Sequence, residues 1–254
     1  MSSIRSVRSV GLLGFGAFGR LVAKSLSPIV PVVVHDPALK MSDVADIDVH
    51  VGTVAEAGGC DMLIVAAPVS EFVTALREVR PYLRPGATVV DVGSVKVGPI
   101  KIMQAELPDF VEIVGTHPLF GPQSARTGIA GRKIVVCPVR GRRVARNLTA
   151  VLRHVFKLDV IVTTPEQHDR EAALVQGITH LIARVLVRME PWPTRLTTAS
   201  FDHLVQATEM VRYDSAGVFS AIEQANPFAA EVREKFFSLA AELRQELEER
   251  AVTE

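Results

Sequence analysis

Cysteine is scarce in this chain of 254 residues: Cys60 and Cys137 are its two, both in apolar stretches and neither in a CxxC pair. A disulfide framework or a cysteine zinc site is not expected, and a reducing, cytoplasmic compartment is. Long apolar runs are missing too. The longest, Met62 to Val69, falls far short of the roughly 20 residues that a membrane-spanning helix needs. The opening stretch MSSIRSVRSV carries charge without an apolar core, so no signal peptide is expected. Neither sign of charge is in excess: 28 Lys and Arg balance 28 Asp and Glu. A neutral chain has no overall field for a phosphate backbone or an anionic membrane, so neither nucleic acid nor membrane is an expected partner. Internal repeats and low-complexity blocks are not found.

What the chain does have is alternation. Short β-branched runs recur at Val10–Gly14, Val30–Asp36, Met62–Ala66, Thr88–Val92, Val111–Thr116, Lys133–Cys137 and Asp159–Thr163. Several are nearly all Val, Ile and Leu, which fits strands buried on both faces. Helical patterns fall between them at Ala17–Ser27, Ser70–Tyr82 and Arg143–Val155. The expected class is α/β, a doubly wound, Rossmann-type, mostly parallel sheet. After Thr164 the strands stop. Thr164, Pro165 and Gln167 form a helix start, and one long helix is expected to run to about Met189, where Pro191 and Pro193 break it. Further helices are expected over 195–210, 214–225 and 227–250. The division is therefore a cofactor domain at 1–164 and a smaller all-helical domain at 165–254. On the last helix Phe228, Val232, Phe236, Leu239, Leu243 and Leu247 make an apolar stripe. It is either core or a subunit interface, since a small helical domain has little surface of its own to bury.

Gly14-Phe15-Gly16-Ala17-Phe18-Gly19 is GxGxxG, and it follows a strand and opens a helix. Gly14 suits the tight turn, Gly16 a close approach to a pyrophosphate, and Gly19 close helix–strand packing. Phosphates would rest on the free N–H groups of the helix N-terminus. The second strand ends at Asp36, 22 residues after Gly14, near the spacing of about 20 expected for a ribose-binding acid. A carboxylate there accepts from ribose hydroxyls and repels a 2′-phosphate, and no cation follows before Lys40. NAD is expected rather than NADP. Ala67 and Pro68 end another strand with small residues suited to backing a nicotinamide ribose. Ligands in such sheets bind beyond the carboxyl ends of the strands, so Ser94 and His117, each at such an end, are catalytic candidates.

Four segments together resemble one family over nearly the whole chain. They are GFGAFG at 14–19, DVGSVK at 91–96, THPLFGPQSARTG at 116–128 and EQHDREAALVQGITHLIARVL at 166–186. The family is the prephenate/arogenate (cyclohexadienyl) dehydrogenases of tyrosine biosynthesis, and the HPLFGPQ wording is most similar to the plant-type branch. The resemblance implies an oxidative decarboxylation in which a cyclohexadienol loses hydride from C4 and then CO₂, leaving an aromatic ring. It implies that His117 accepts the proton of the C4 hydroxyl, that Ser94 hydrogen-bonds and orients that hydroxyl, and that Gln123, Gln176 and His180 face substrate. It also implies a homodimer through the helical half.

Many prephenate-using members carry a carboxylate-gripping Arg where this chain has Glu209; Arg212, one turn on, and Arg126 are the candidates to replace it. Asp214 resembles the acid of plant-type arogenate dehydrogenases, where a carboxylate would attract arogenate's ammonium. It would equally serve as the cap of the next helix. His168 and Asp169 read as structural, and no metal site is expected. Prephenate preference, a β-hydroxyacid-type dehydrogenase and a non-catalytic NAD-sensing protein are the alternatives. Against the second, residues 165–182 contain no Lys of the kind those enzymes use.

Overall fold

A computed structural model describes residues 7–253, with side chains to residue 249. Residues 1–6, on which much of the no-signal-peptide reading rests, lie outside the described residues. The chain divides into two compact units, Met1–Pro165 and Glu166–Glu254.

The first unit is one eight-stranded sheet. Its strands are β1 (Val10–Leu13), β2 (Val32–His35), β3 (His50–Val51), β4 (Met62–Val65), β5 (Thr88–Asp91), β6 (Glu112–Pro118), β7 (Lys133–Arg140) and β8 (Asp159–Val162). The order is β3-β2-β1-β4-β5-β6-β7-β8. All neighbours are parallel except β6 and β7. The helices of this unit are α1 (Ala17–Leu26), α2 (Val54–Gly58), α3 (Phe72–Val79), α4 (Val97–Glu106) and α5 (Arg142–His154).

Side-chain alternation explains why the strands read as continuous apolar runs. Leu13, Leu63, Val65, Val89 and Ile113 point to one face, joined there by Phe72, Leu76 and Met103. Val10, Leu12, Ile64, Val90 and Val114 point to the other, against Ala23 and Ala145. A strand with apolar residues at every position has a buried partner on both sides. Because β1, β4, β5 and β6 are parallel neighbours, their carboxyl ends lie along one edge, and β2 brings Asp36 to the same edge.

Three features are not among the sequence expectations. The first is β3 with α2, only two and five residues long. The second is α4. The third is the reversed direction of β7, joined to β6 by the loop 119–132.

The second unit is helical: α6 (Pro165–Ala172), α7 (Ile178–Arg188), α8 (Ala199–Val211), α9 (Ala216–Ser220) and α10 (Ala229–Thr253). The long helix expected over 165–189 is not continuous. A π-helical turn at Ala173–Gly177 separates α6 from α7, and a second at Ala221–Ala225 extends α9. These two turns pack on each other. The apolar stripe of α10 also divides: Phe228, Val232 and Phe236 are half-buried, whereas Leu239, Leu243 and Leu247 are more than half exposed.

Candidate functional site

The glycine loop assigns a different task to each of its glycines. Gly14 has φ +92°, and a Cβ there would meet the Ala66 carbonyl oxygen at 2.8 Å. A Cβ on Gly19 would fall 2.2 Å from the Gly14 carbonyl oxygen, so the helix can approach the strand only with glycine there. A Cβ on Gly16 would meet nothing within 4 Å. Its glycine therefore leaves room for something outside the chain. Gly16 is also the N-cap of α1 and provides no side-chain cap, so the first-turn N–H groups of Ala17 and Phe18 face outward unanswered by a cap.

Asp36 closes the other side of the loop. Its Oδ2 accepts from the Phe15 N–H at 2.6 Å and its Oδ1 from the Ala38 N–H at 2.8 Å. Each carboxylate oxygen retains a further lone pair for a hydroxyl. Ala67 is half-buried and Pro68 exposed just past β4. An open glycine, an uncapped helix start and a strand-end acid fit a dinucleotide.

The ends of β5 and β6 are joined by charges that the sequence reading left without a role. Asp91 and Lys96 are both fully buried and ion-paired. Lys96 Nζ also donates to the Thr116 carbonyl at 2.6 Å, and Thr116 Oγ1 donates to the Asp91 carbonyl at 2.7 Å. Asp91 Oδ1 accepts from the Gly93 N–H at 2.7 Å. Gly115 makes room for Ile100, whose Cδ1 a Cβ there would meet at 2.8 Å, with the lysine stem beside it at 3.4 Å. This strut fixes the backbone on either side of Ser94 and directly before His117. Ser94 is half-buried. His117, expected just past its strand, lies within β6 opposite Val135 and is 4 % exposed. In the loop that follows, Gln123 is half-buried and Arg126 exposed.

In the helical unit, His180, Asp214 and Arg212 line one cavity of about 270 Å³ with Arg184, Arg188 and Phe219. His180 Nδ1 is 2.9 Å from the Gln176 carbonyl, and its Nε2 is 3.1 Å from Asp214 Oδ2. A carbonyl and a carboxylate both accept only, so the surroundings of both ring nitrogens favour the imidazolium form. Burial opposes that charge, but the Asp214 carboxylate, the Gln176 carbonyl and the field of Glu223 outweigh it, and the pKa is raised. The π-helical turn contributes directly, because Gln176 lies in it and its carbonyl serves the ring.

Asp214 is not the cap of the next helix. Ser215 is: its hydroxyl accepts from the Val218 N–H. Arg212 is engaged by two acids, Glu190 at 2.8 Å and Glu209, the residue that stands where an Arg was looked for. His168 and Asp169 are buried and paired at 2.7 Å, and the Asp169 carbonyl accepts from Asn226 Nδ2 at 2.8 Å. Among the described residues no cluster of three or more His, Cys, Asp or Glu is arranged to hold a metal, and no helix is long and apolar enough to cross a membrane.

Comparison with known proteins now adds to this geometry. Residues 35–162 match the family model of the prephenate dehydrogenase nucleotide-binding domain. The chain belongs to the prephenate dehydrogenase family. The chain is 32% identical over 122 residues to a probable arogenate/prephenate dehydrogenase of Methanocaldococcus jannaschii, covering 47% of this chain and 27% of that protein. It is 27% identical over 253 residues to the chloroplastic arogenate dehydrogenase 1 of Arabidopsis thaliana, covering 94% of this chain and 39% of that one. The chain thus spans well under two thirds of both relatives. A crystal structure of prephenate dehydrogenase from A. aeolicus in complex with hydroxyphenyl propionate and NAD+ superposes with a TM-score of 0.74 at 20% identity, over 98% of this chain and 93% of that one. At that identity the likeness speaks to the fold, a Rossmann-type sheet followed by helices.

Proposed function

We propose that this chain is an NAD-dependent dehydrogenase that oxidatively decarboxylates arogenate, prephenate or both. The observation that carries the reading is the strut Asp91–Lys96–Thr116, which holds Ser94 and His117 at neighbouring strand ends on the edge where the glycine loop also opens. The loop Gly14–Gly19, with Phe15, Ala17 and Phe18, would hold the pyrophosphate. Asp36 would hold the ribose, and Ala67 and Pro68 would back the nicotinamide end. When bound, NAD supplies the acceptor for the hydride that leaves C4 of the substrate ring.

The chain's own residues do the rest. Ser94 orients the C4 hydroxyl by a hydrogen bond. His117 takes the hydroxyl proton as the hydride departs, which is work for a neutral imidazole. Loss of CO₂ then returns the C–C bonding pair to the ring and makes it aromatic. In the sheet unit we assign Gln123 to substrate, and in the helical unit, taken by itself, Gln176, His180 and Asp214. Asp214 would favour arogenate by attracting its ammonium. The exposed Leu239, Leu243 and Leu247 of α10 support a homodimer through the helical unit. Two buried free thiols, Cys60 and Cys137, suit a cytoplasmic location.

The test is spectrophotometric. Purified protein with NAD should form NADH at 340 nm with arogenate, with prephenate, or with both. His117→Asn should lower kcat about 10²–10⁴-fold while NAD affinity is retained. No NADH from either compound would sink the reading and favour an NAD-sensing protein.

A further inference from the structure

The cavity of the helical unit holds a guanidinium that the sequence reading passed over. Arg184 lies one turn after His180 on α7, and its Cζ sits 3.5 Å from the centroid of the Phe219 ring. Cations this close to a ring face are attracted by its quadrupole, and the stack fixes the guanidinium plane. The face of a Phe ring accepts none of the in-plane N–H groups, so these donors are available to a ligand. Among the described residues no carboxylate forms an ion pair with Arg184. Arg212 contrasts in its charge partners. Its guanidinium is engaged by Glu190 and Glu209, and two carboxylates for one cation leave that cluster net anionic. Its pKa is raised because both acids hold it charged. It therefore serves as a tie from α8 to Glu190, with its guanidinium 5.9 Å from the Trp192 ring centroid and 5.3 Å from that of Tyr213.

We infer that Arg184 binds the side-chain carboxylate of the substrate and that its cavity takes an α-amino-acid headgroup. The inference deepens the proposed function and rests on it for the identity of the substrate. The chemistry of the cavity is that of a zwitterion site. Arg184 meets the carboxylate with paired N–H donors, a geometry that a guanidinium offers and an ammonium does not. His180 has a protein acceptor at each ring nitrogen, so it does not compete for the ligand. Asp214 supplies the negative charge for the ammonium. Arg188 lines the same cavity two turns from His180, no ring among the described residues stacks on it, and it is the internal control.

The aromatic product, an α-amino acid carrying a phenol, dissects the site without catalysis. The full chain is titrated calorimetrically with L-tyrosine, with tyramine (no carboxylate) and with 3-(4-hydroxyphenyl)propionate (no ammonium). Arg184→Gln should weaken L-tyrosine and the propionate roughly tenfold or more and leave tyramine unchanged, as expected for loss of one charge-assisted pair. Arg184→Lys should restore part of the loss. Arg188→Gln and Arg212→Gln should leave the ratio of tyrosine to tyramine affinity where it was. The inference is overturned if Arg184→Gln binds all three like the wild type, if Arg188→Gln or Arg212→Gln gives the selective loss instead, or if the wild type binds none of the three. Binding of L-tyrosine through Arg184 with no NADH from arogenate or prephenate would sink the dehydrogenase reading and leave the headgroup site standing.

Discussion

The two units build their sites from different materials. The sheet unit uses backbone: a glycine turn, a helix start, and strand ends that its topology must bring to one edge. The helical unit uses charged side chains on α7, α8 and the segment before α9, and its cavity is defined by which cation is paired with which acid. Backbone sites tolerate no change at the positions where a Cβ would strike main chain. Side-chain sites tolerate exchange but redistribute charge. The sheet unit adds a few side chains, Asp36, Ser94, His117 and the buried Asp91–Lys96 pair, and that pair marks where the comparison is easiest to break.

Lys96→Met should have the largest effect. It leaves Asp91 fully buried without its cation and frees the Thr116 carbonyl, and removing one partner of a buried pair costs about 3–5 kcal/mol. Urea unfolding of the full chain would read this directly. The double variant Asp91→Asn with Lys96→Met should recover part of the loss, because neither charge is then stranded. If Lys96→Met costs less than about 1 kcal/mol, the strut is not what holds the β5 and β6 ends.

Gly19→Ala and Gly16→Ala separate packing from binding within six residues. The first would place a methyl 2.2 Å from a backbone oxygen that cannot swing aside, and should cost about 1–3 kcal/mol of stability. The second meets no protein atom, so its unfolding midpoint should barely move while NAD affinity falls. Urea melts and NAD titration of the same two samples give the answer. An equal stability loss in both would mean that the open space at Gly16 is not kept for a ligand.

Legibility followed the same division. The sheet unit was readable because parallel strands buried on both faces leave continuous apolar runs, and because the turn demands glycine by sterics. The short β3 and α2 were missed for want of periodicity, although Thr53 and Glu56 form a capping box that the spacing T-x-x-E announces. The reversal of β7 was not legible, since strand direction leaves no mark in a run such as Ile134–Cys137. Asp91 and Lys96 were quoted within a motif yet received no role, because burial of a charge cannot be seen in a row of letters. In the helical unit the sequence pointed to His180 and Asp214, and offered Arg212, beside Arg126, as a candidate for the substrate carboxylate. Only side-chain geometry shows that Glu190, 22 residues away, holds that guanidinium. The π-helical turn was hidden as well, because it keeps helical composition.

The smallest expected effect sharpens the comparison furthest, since it asks whether the helical site is electrostatic. His180 is held protonated above the ordinary range for histidine: burial works against the charge, while Asp214, the Gln176 carbonyl and Glu223 work for it more strongly. Arg184, Arg188 and Arg212 also line the cavity, so the ring lies among cations as well as acids. A group whose pKa is higher folded than unfolded binds its proton more tightly in the native state. Its contribution to stability is complete below the unfolded value near 6.5 and is lost as pH rises through the folded value. The stability gap between wild type and Asp214→Asn should therefore be widest near pH 6 and narrow toward pH 9. An NMR titration of the His180 ring gives the folded value itself. A midpoint below that of free histidine, or one that Asp214→Asn does not lower, would mean that the ring is neutral and that the cavity's positive field comes from its arginines alone.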